Sequence, residues 1–172
     1  MEDVIAAHVF DRTNPKLADF HVKRMILYPS QWNKFKSPLS KKLTWTYVPF
    51  GKESYQDVPA DYGGVYSFVV RPNIAEHPLC SYLLYVGKAN SFRKRYYRYL
   101  NNFSKEAIET DHPHVTVMLQ KWSSHLWFCY ARIDETSLID KTESSLIQAY
   151  LPPTNKDIPG KIGKAVRMLF GT

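Results

Sequence analysis

The sequence predicts an α+β fold: a small mixed sheet with helices on its faces. Three observations lead there. The 172 residues are 44% hydrophobic, enough for one ordinary core and too few for two comfortable domains. Short runs of β-branched and aromatic residues alternate with stretches of helical spacing, in the order β-β-α-α-β-α-α from residue 64. Proline and glycine punctuate the joins, and no internal repeat or low-complexity segment interrupts the pattern.

Residues 14–28 read as a helix, because Asn14 can cap, Pro15 suits the first position, and Leu17, Phe20, Arg24 and Leu27 share a face. A polar, aromatic stretch follows from Pro29 to Lys42. Lys42 to Val48 alternates as a short strand or extended segment, and Gly51 to Gly63 reads as a linker. Gly64 to Val70 is rich in strong β-formers and predicts a strand. Tyr82 to Val86 predicts a second strand, ended by Gly87 and paired with the first as a hairpin across a loop at Arg71 to Pro78. Asn90 is expected to cap a helix reaching about Asn102, with Phe92, Tyr96, Tyr99 and Leu100 inward. Val115 to Trp122 predicts a short helix and Leu126 to Ile133 a third strand. Ser137 to Leu151 predicts a helix that Pro152-Pro153 terminates, and Ile162, Ala165, Val166, Leu169 and Phe170 mark a last amphipathic one.

Charge narrows the partners. The formal net charge is +7, a balance that favours phosphate backbones. Lys88, Arg93, Lys94, Arg95 and Arg98 fall within eleven residues that hold no acid, interleaved with Phe92, Tyr96, Tyr97 and Tyr99. No apolar run has membrane-spanning length, and Met1-Glu2-Asp3-Val4 is not the start of a secretory signal. Cys80 and Cys129 are too few for a disulfide scaffold and show no metal-ligand spacing. Two reduced thiols in a cytoplasmic protein, with no membrane partner, are expected.

Glu143 is the clearest anomaly. The inward stripe of its helix runs Ile139, Glu143, Leu146, Ile147, Tyr150, so a carboxylate stands where an apolar residue belongs. An unpaired charge buried there costs several kcal/mol. Glu143 therefore has a cationic partner, borders a cleft and holds a metal, or reaches solvent through a small rotation of the helix. Arg95 repeats the pattern between Phe92 and Tyr99: it clamps a phosphate, pairs with Glu143, or is a solvated charge. Tyr66 and Tyr85 lie one on each hairpin strand. A phenol is a poor base until a cation favours its ionised form, and Lys88 stands three residues after Tyr85 to supply that field.

Gly64-Val65-Tyr66, then Tyr85-Val86-Gly87-Lys88-Ala89, then Arg95 eight residues after Gly87, resembles the signature of the GIY-YIG nuclease superfamily. Glu143, Leu146, Ile147, Pro152 and Asn155 match its closing element. The resemblance covers residues 63 to 156. It implies a three-stranded antiparallel sheet flanked by helices, and a divalent-metal-dependent DNA endonuclease. By the same resemblance, Glu143 would bind Mg²⁺ or Mn²⁺ and Tyr66 would be the general base, helped by Lys88. Tyr85 would position the water or the phosphate, Arg95 would stabilise charge on the phosphorane, and Asn155 would fix Glu143 or its neighbours. The products would be a 5′ phosphate and a 3′ hydroxyl.

The chain departs from that pattern in three places. Val65 stands in the first triplet where the name-giving residue is Ile, and the Ser67 to Leu84 connection is long. Tyr99 occupies the position where some members carry a histidine, which leaves His112 and His114 as candidates for a proton relay against a plain turn or surface role. Residues 1–62 form a helical and extended N-terminal extension, expected to pack on the 63–172 domain or to contact DNA. Arg93, Lys94 and Arg98 are expected to meet the nucleic acid. A non-catalytic nucleic-acid-binding module of the same fold and an RNA-directed nuclease stay open as alternatives, and the sequence does not determine the oligomeric state.

Overall fold

The structure, a computed structural model, describes residues 43–74 and 80–160, together with Met25, Leu27, Tyr28, Pro29, Trp32, Phe35 and Gly163. The helix expected over 14–28 lies outside these residues except at Met25, Leu27 and Tyr28, which are not helical, whereas Pro29, Trp32 and Phe35 are. The last expected helix also lies outside them, apart from the helical Gly163.

The sheet has four antiparallel strands, not three. They are β1 (Trp45–Pro49), β2 (Gly64–Val70), β3 (Tyr82–Ala89) and β4 (Leu126–Arg132), in the order β1-β4-β2-β3. The additional strand is the alternating segment of the extension. It pairs with β4 along its whole length, from Trp45 opposite Ala131 to Pro49 opposite Trp127. Without it, β4 would present a full row of unpaired backbone groups. β2 and β3 form the expected hairpin, with Tyr66 opposite Gly87, and a bulge falls between Phe68 and Val69.

Among the described residues, three α-helices cover this sheet. α1 (Phe92–Phe103) is capped by Ser91, one residue after the expected Asn90; the Ser91 hydroxyl accepts from the backbone N–H of Lys94 at 3.4 Å. α2 (Pro113–Trp122) starts two residues before the expected point, with Pro113 in its first turn. α3 (Thr136–Tyr150) ends at Leu151, which adopts a left-handed φ of 48°. Pro152 bars Leu151 from the helical region, which is why the helix stops there.

Two cores result. On one face, Phe92, Tyr96 and Tyr99 of α1 and Val115, Met118 and Leu119 of α2 pack on Tyr66, Phe68 and Phe128. On the other, Leu146 and Ile147 of α3 pack on Val65, Val86 and Ala131. The stripe of α3 ends before Tyr150, which is 53% exposed, and Ala149 and Leu151 close that face.

Residues 51–63 are not a loose linker. Val58 and Ser54 are buried, and a single turn of 3-10 helix spans Glu53–Tyr55. The Tyr96 hydroxyl accepts from the Gly51 N–H and lies 2.8 Å from the Gly51 carbonyl. The Arg93 guanidinium donates to the carbonyls of Val58 (2.7 Å) and Gln56 (2.9 Å). Arg93 thus ties the extension to α1. We expect Arg93→Ala to destabilise the fold by about 1–2 kcal/mol through loss of these bonds. Thermal denaturation measures that cost.

Candidate active site

The site forms at the β3 edge of the sheet, and Gly87 makes it possible. A β-carbon at position 87 would stand 2.6 Å from Tyr66 Cζ and 2.9 Å from Tyr85 Cε1. Only a residue without a side chain lets the Tyr66 phenol cross β3 at this point. Tyr66 is buried, stacked on Phe128 with ring centroids 5.2 Å apart, and its hydroxyl lies 2.6 Å from that of Tyr99, also buried. Tyr85 lies near enough to raise the pKa of Tyr99. Tyr85 is half-buried and is the outermost of the three.

Tyr99 is the one hydrogen-bond partner of Tyr66 among the described residues, and either hydroxyl can be the donor.

Burial raises the pKa of Tyr66 well above its ordinary value, and repulsion from the other two phenols adds to this. The pKa of Tyr99 is raised too, chiefly by burial. Arg95 works in the opposite direction at both and is outweighed. A phenolate at Tyr66 is therefore disfavoured at neutral pH. Lys88 does not supply the field expected of it, because its ammonium points elsewhere.

Arg95 emerges from α1 one turn before Tyr99 and is half-buried. Burial opposes its charge, but Tyr66, Tyr99, Tyr85 and Glu143 together outweigh that and raise its pKa. Among the described residues no side chain or carbonyl takes a hydrogen bond from the guanidinium. A half-buried cation with its donors unengaged can receive an oxyanion.

Glu143 reaches the same edge from the opposite face. Its side chain is only 17% exposed and its carboxylate has the cationic partner that burial demands: Lys88 Nζ lies 3.0 Å from Glu143 Oε2. The same ammonium lies 3.2 Å from Asp140 Oδ1, one turn earlier on α3. Its pKa is raised, first by the hydrogen bond to Glu143.

Asn155 does not touch Glu143. Its side chain accepts from the Val86 N–H at 2.9 Å and donates to the Val86 carbonyl at 2.8 Å. The Thr154 N–H adds a bond to the Leu84 carbonyl at 2.9 Å. Residues 154–155 thus seal the free edge of β3 and hold the strand segment that carries Tyr85 and Gly87.

The expected nucleic-acid contacts divide. Arg93 is half-buried and bonds the Val58 and Gln56 carbonyls, Arg98 is ion-paired with Asp111, and Lys94 is exposed on α1. His112 stands at the start of α2, with a pKa lowered by burial and then by Arg98; Arg95 and Lys156 press in the same direction. It borders the site but makes no side-chain cap. Sequence reasoning missed the Tyr66–Tyr99 bond and Asp140. The spacing of Asp140, three residues before Glu143 on one helix, was the available signal for the second.

The donor set suits a hard cation. Among the described residues no group of three or more His, Cys, Asp or Glu gathers. Mg²⁺, however, is commonly held by one or two carboxylates, with water and substrate phosphates completing its shell. Glu143 is one such carboxylate, and the Lys88 ammonium lies against it. No helix among the described residues is long and apolar enough to cross a membrane. Cys80 and Cys129 are both free, and burial pushes the Cys129 thiol up to about 11, so it is protonated at neutral pH.

The chain matches no protein-family model, no curated protein and no solved structure. The geometry of the site therefore carries the functional reading.

The raised phenols set an alkaline limit. A phenol unfolded ionises near pH 10 and buried does not, so the folded state retains protons that the unfolded state loses. Stability is fully present below pH 10 and falls above it by about 1.4 kcal/mol per pH unit for each phenol kept protonated. Melting temperatures from pH 8 to 11 should show this fall, and Tyr66→Phe/Tyr99→Phe should flatten it. Tyr99→Phe alone, which leaves the Tyr66 hydroxyl without its partner, should cost about 1–3 kcal/mol near neutral pH.

Proposed function

We propose that the chain is a divalent-metal-dependent endonuclease that hydrolyses phosphodiester bonds in DNA, with RNA as the alternative substrate. The observation that carries this reading is that Arg95, its guanidinium donors unengaged among the described residues, lies within electrostatic reach of both the Tyr85 phenol and the Glu143 carboxylate. The net charge of +7 and the resemblance of the ordered motifs to the GIY-YIG superfamily support the same conclusion.

In this mechanism Arg95 binds a non-bridging oxygen of the scissile phosphate and stabilises the charge that grows there. Tyr85, the outermost phenol, orients the attacking water. This reassigns the water-handling role from the buried Tyr66. Glu143 would hold Mg²⁺ or Mn²⁺, which when bound supplies Lewis-acid polarisation of the phosphate and of the leaving 3′ oxygen. Lys94 and Arg98 meet flanking phosphates, Arg98 by leaving its exposed partner Asp111.

Incubation with supercoiled plasmid separates this reading from a binding module of the same fold. Mg²⁺-dependent nicking should vanish in EDTA and in Glu143→Ala. Arg95→Ala should slow cleavage by about 10²–10³-fold with little change in DNA affinity. Binding without nicking in any divalent metal would sink the enzyme reading. Tyr85→Phe should lose about 10²-fold or more in rate, and near-normal turnover would remove the role assigned to Tyr85.

A further inference from the structure

Lys88 does more than balance a charge. It bridges two carboxylates of unequal kind: Glu143, 17% exposed, and Asp140, 77% exposed. The two are three residues apart on α3 and so lie on one side of the helix. The ammonium ends a flexible four-carbon stem on β3, at 3.0 Å from the first carboxylate and 3.2 Å from the second.

A divalent cation arriving at Glu143 would meet this ammonium at contact distance. Two positive groups on one half-buried carboxylate repel each other strongly. Removing Lys88 altogether would leave Glu143 without a counter-charge before the ion arrives, an unfavourable state for a carboxylate so little exposed. The protein needs a cation there at first and must release it later.

We propose that Lys88 is a positioning residue that holds Glu143 until the metal binds and then moves wholly onto Asp140. The proposal rests on the reading of Glu143 as a metal ligand. Asp140 receives the displaced ammonium without a search, because the pair is already made. It lies in solvent, where the remaining ion pair is weak and the exchange is easily reversed.

Metal binding without nucleic acid tests the exchange. Free Mn²⁺ is measured by electron paramagnetic resonance during titration of the full chain. Lys88→Met should bind Mn²⁺ about five- to tenfold more tightly, because nothing has to be displaced. Asp140→Asn should bind it several-fold more weakly, and that loss should largely disappear in Lys88→Met/Asp140→Asn. Lys88→Arg, which retains the charge and grips a carboxylate with two donors, should also weaken binding. Undiminished loss from Asp140→Asn in the Lys88→Met background would mean that Asp140 acts on the ion itself and would overturn the proposal. So would Mn²⁺ affinity unchanged by both lysine variants. If the unmodified chain and Glu143→Gln bind Mn²⁺ alike, the metal reading of Glu143 fails first, before any lysine variant is considered.

Discussion

The arrangement depends on one close approach: the Tyr66 phenol lies where a side chain on Gly87 would otherwise be. That contact lets a central strand, buried on both faces, send a polar group to the edge of the sheet. Tyr66 could be replaced in the core by any aromatic of its size, but only its hydroxyl reaches that of Tyr99. The core and the site therefore share Tyr66, whose ring packs on Phe68 and Phe128.

The charges are divided by the sheet. Arg95 belongs to the α1 face and is surrounded by phenols; Glu143 belongs to the α3 face and is met by Lys88. β3, at the edge, keeps the two sets apart while leaving both within electrostatic reach of a group placed at its rim. Were Arg95 and Glu143 in direct contact they would neutralise each other, and neither would be ready for an external partner. Giving Glu143 its own lysine leaves Arg95 unengaged.

Much of this was legible in the sequence, for identifiable reasons. Glu143 interrupts an apolar stripe, and an interruption in a periodic pattern is visible without neighbours. The hairpin was legible because β2 is built of strong β-formers and ends in the turn-rich segment after Val70. The place of β1 was not, since alternation reveals that a segment is extended but not which strand it joins. The fate of individual cations was also hidden. Arg93 and Arg95 are two residues apart and alike in sequence, yet one binds backbone carbonyls and the other faces the site, because α1 turns them to different sides. The motif pointed Asn155 to Glu143 or its neighbours; that its side chain bonds the Val86 backbone was not legible, because it depends on how residues 152–155 leave α3.

The pairing of β1 with β4 has a consequence for how the chain acquires its shape. β1 is synthesised early, and the strand it needs emerges only after β2, β3, α1 and α2. Until then the exposed aromatic side chains of Trp45 and Tyr47 and the unpaired backbone of β1 have no native mate. The sheet closes when β4 enters between β1 and β2, and the outer side of β3 closes later still, when residues 154–155 arrive. Contacts so distant along the chain favour slow, late consolidation. The rim that carries Tyr85 is thus among the last parts to become rigid, and a nascent or truncated chain would acquire a hydrophobic core before it acquired a working edge.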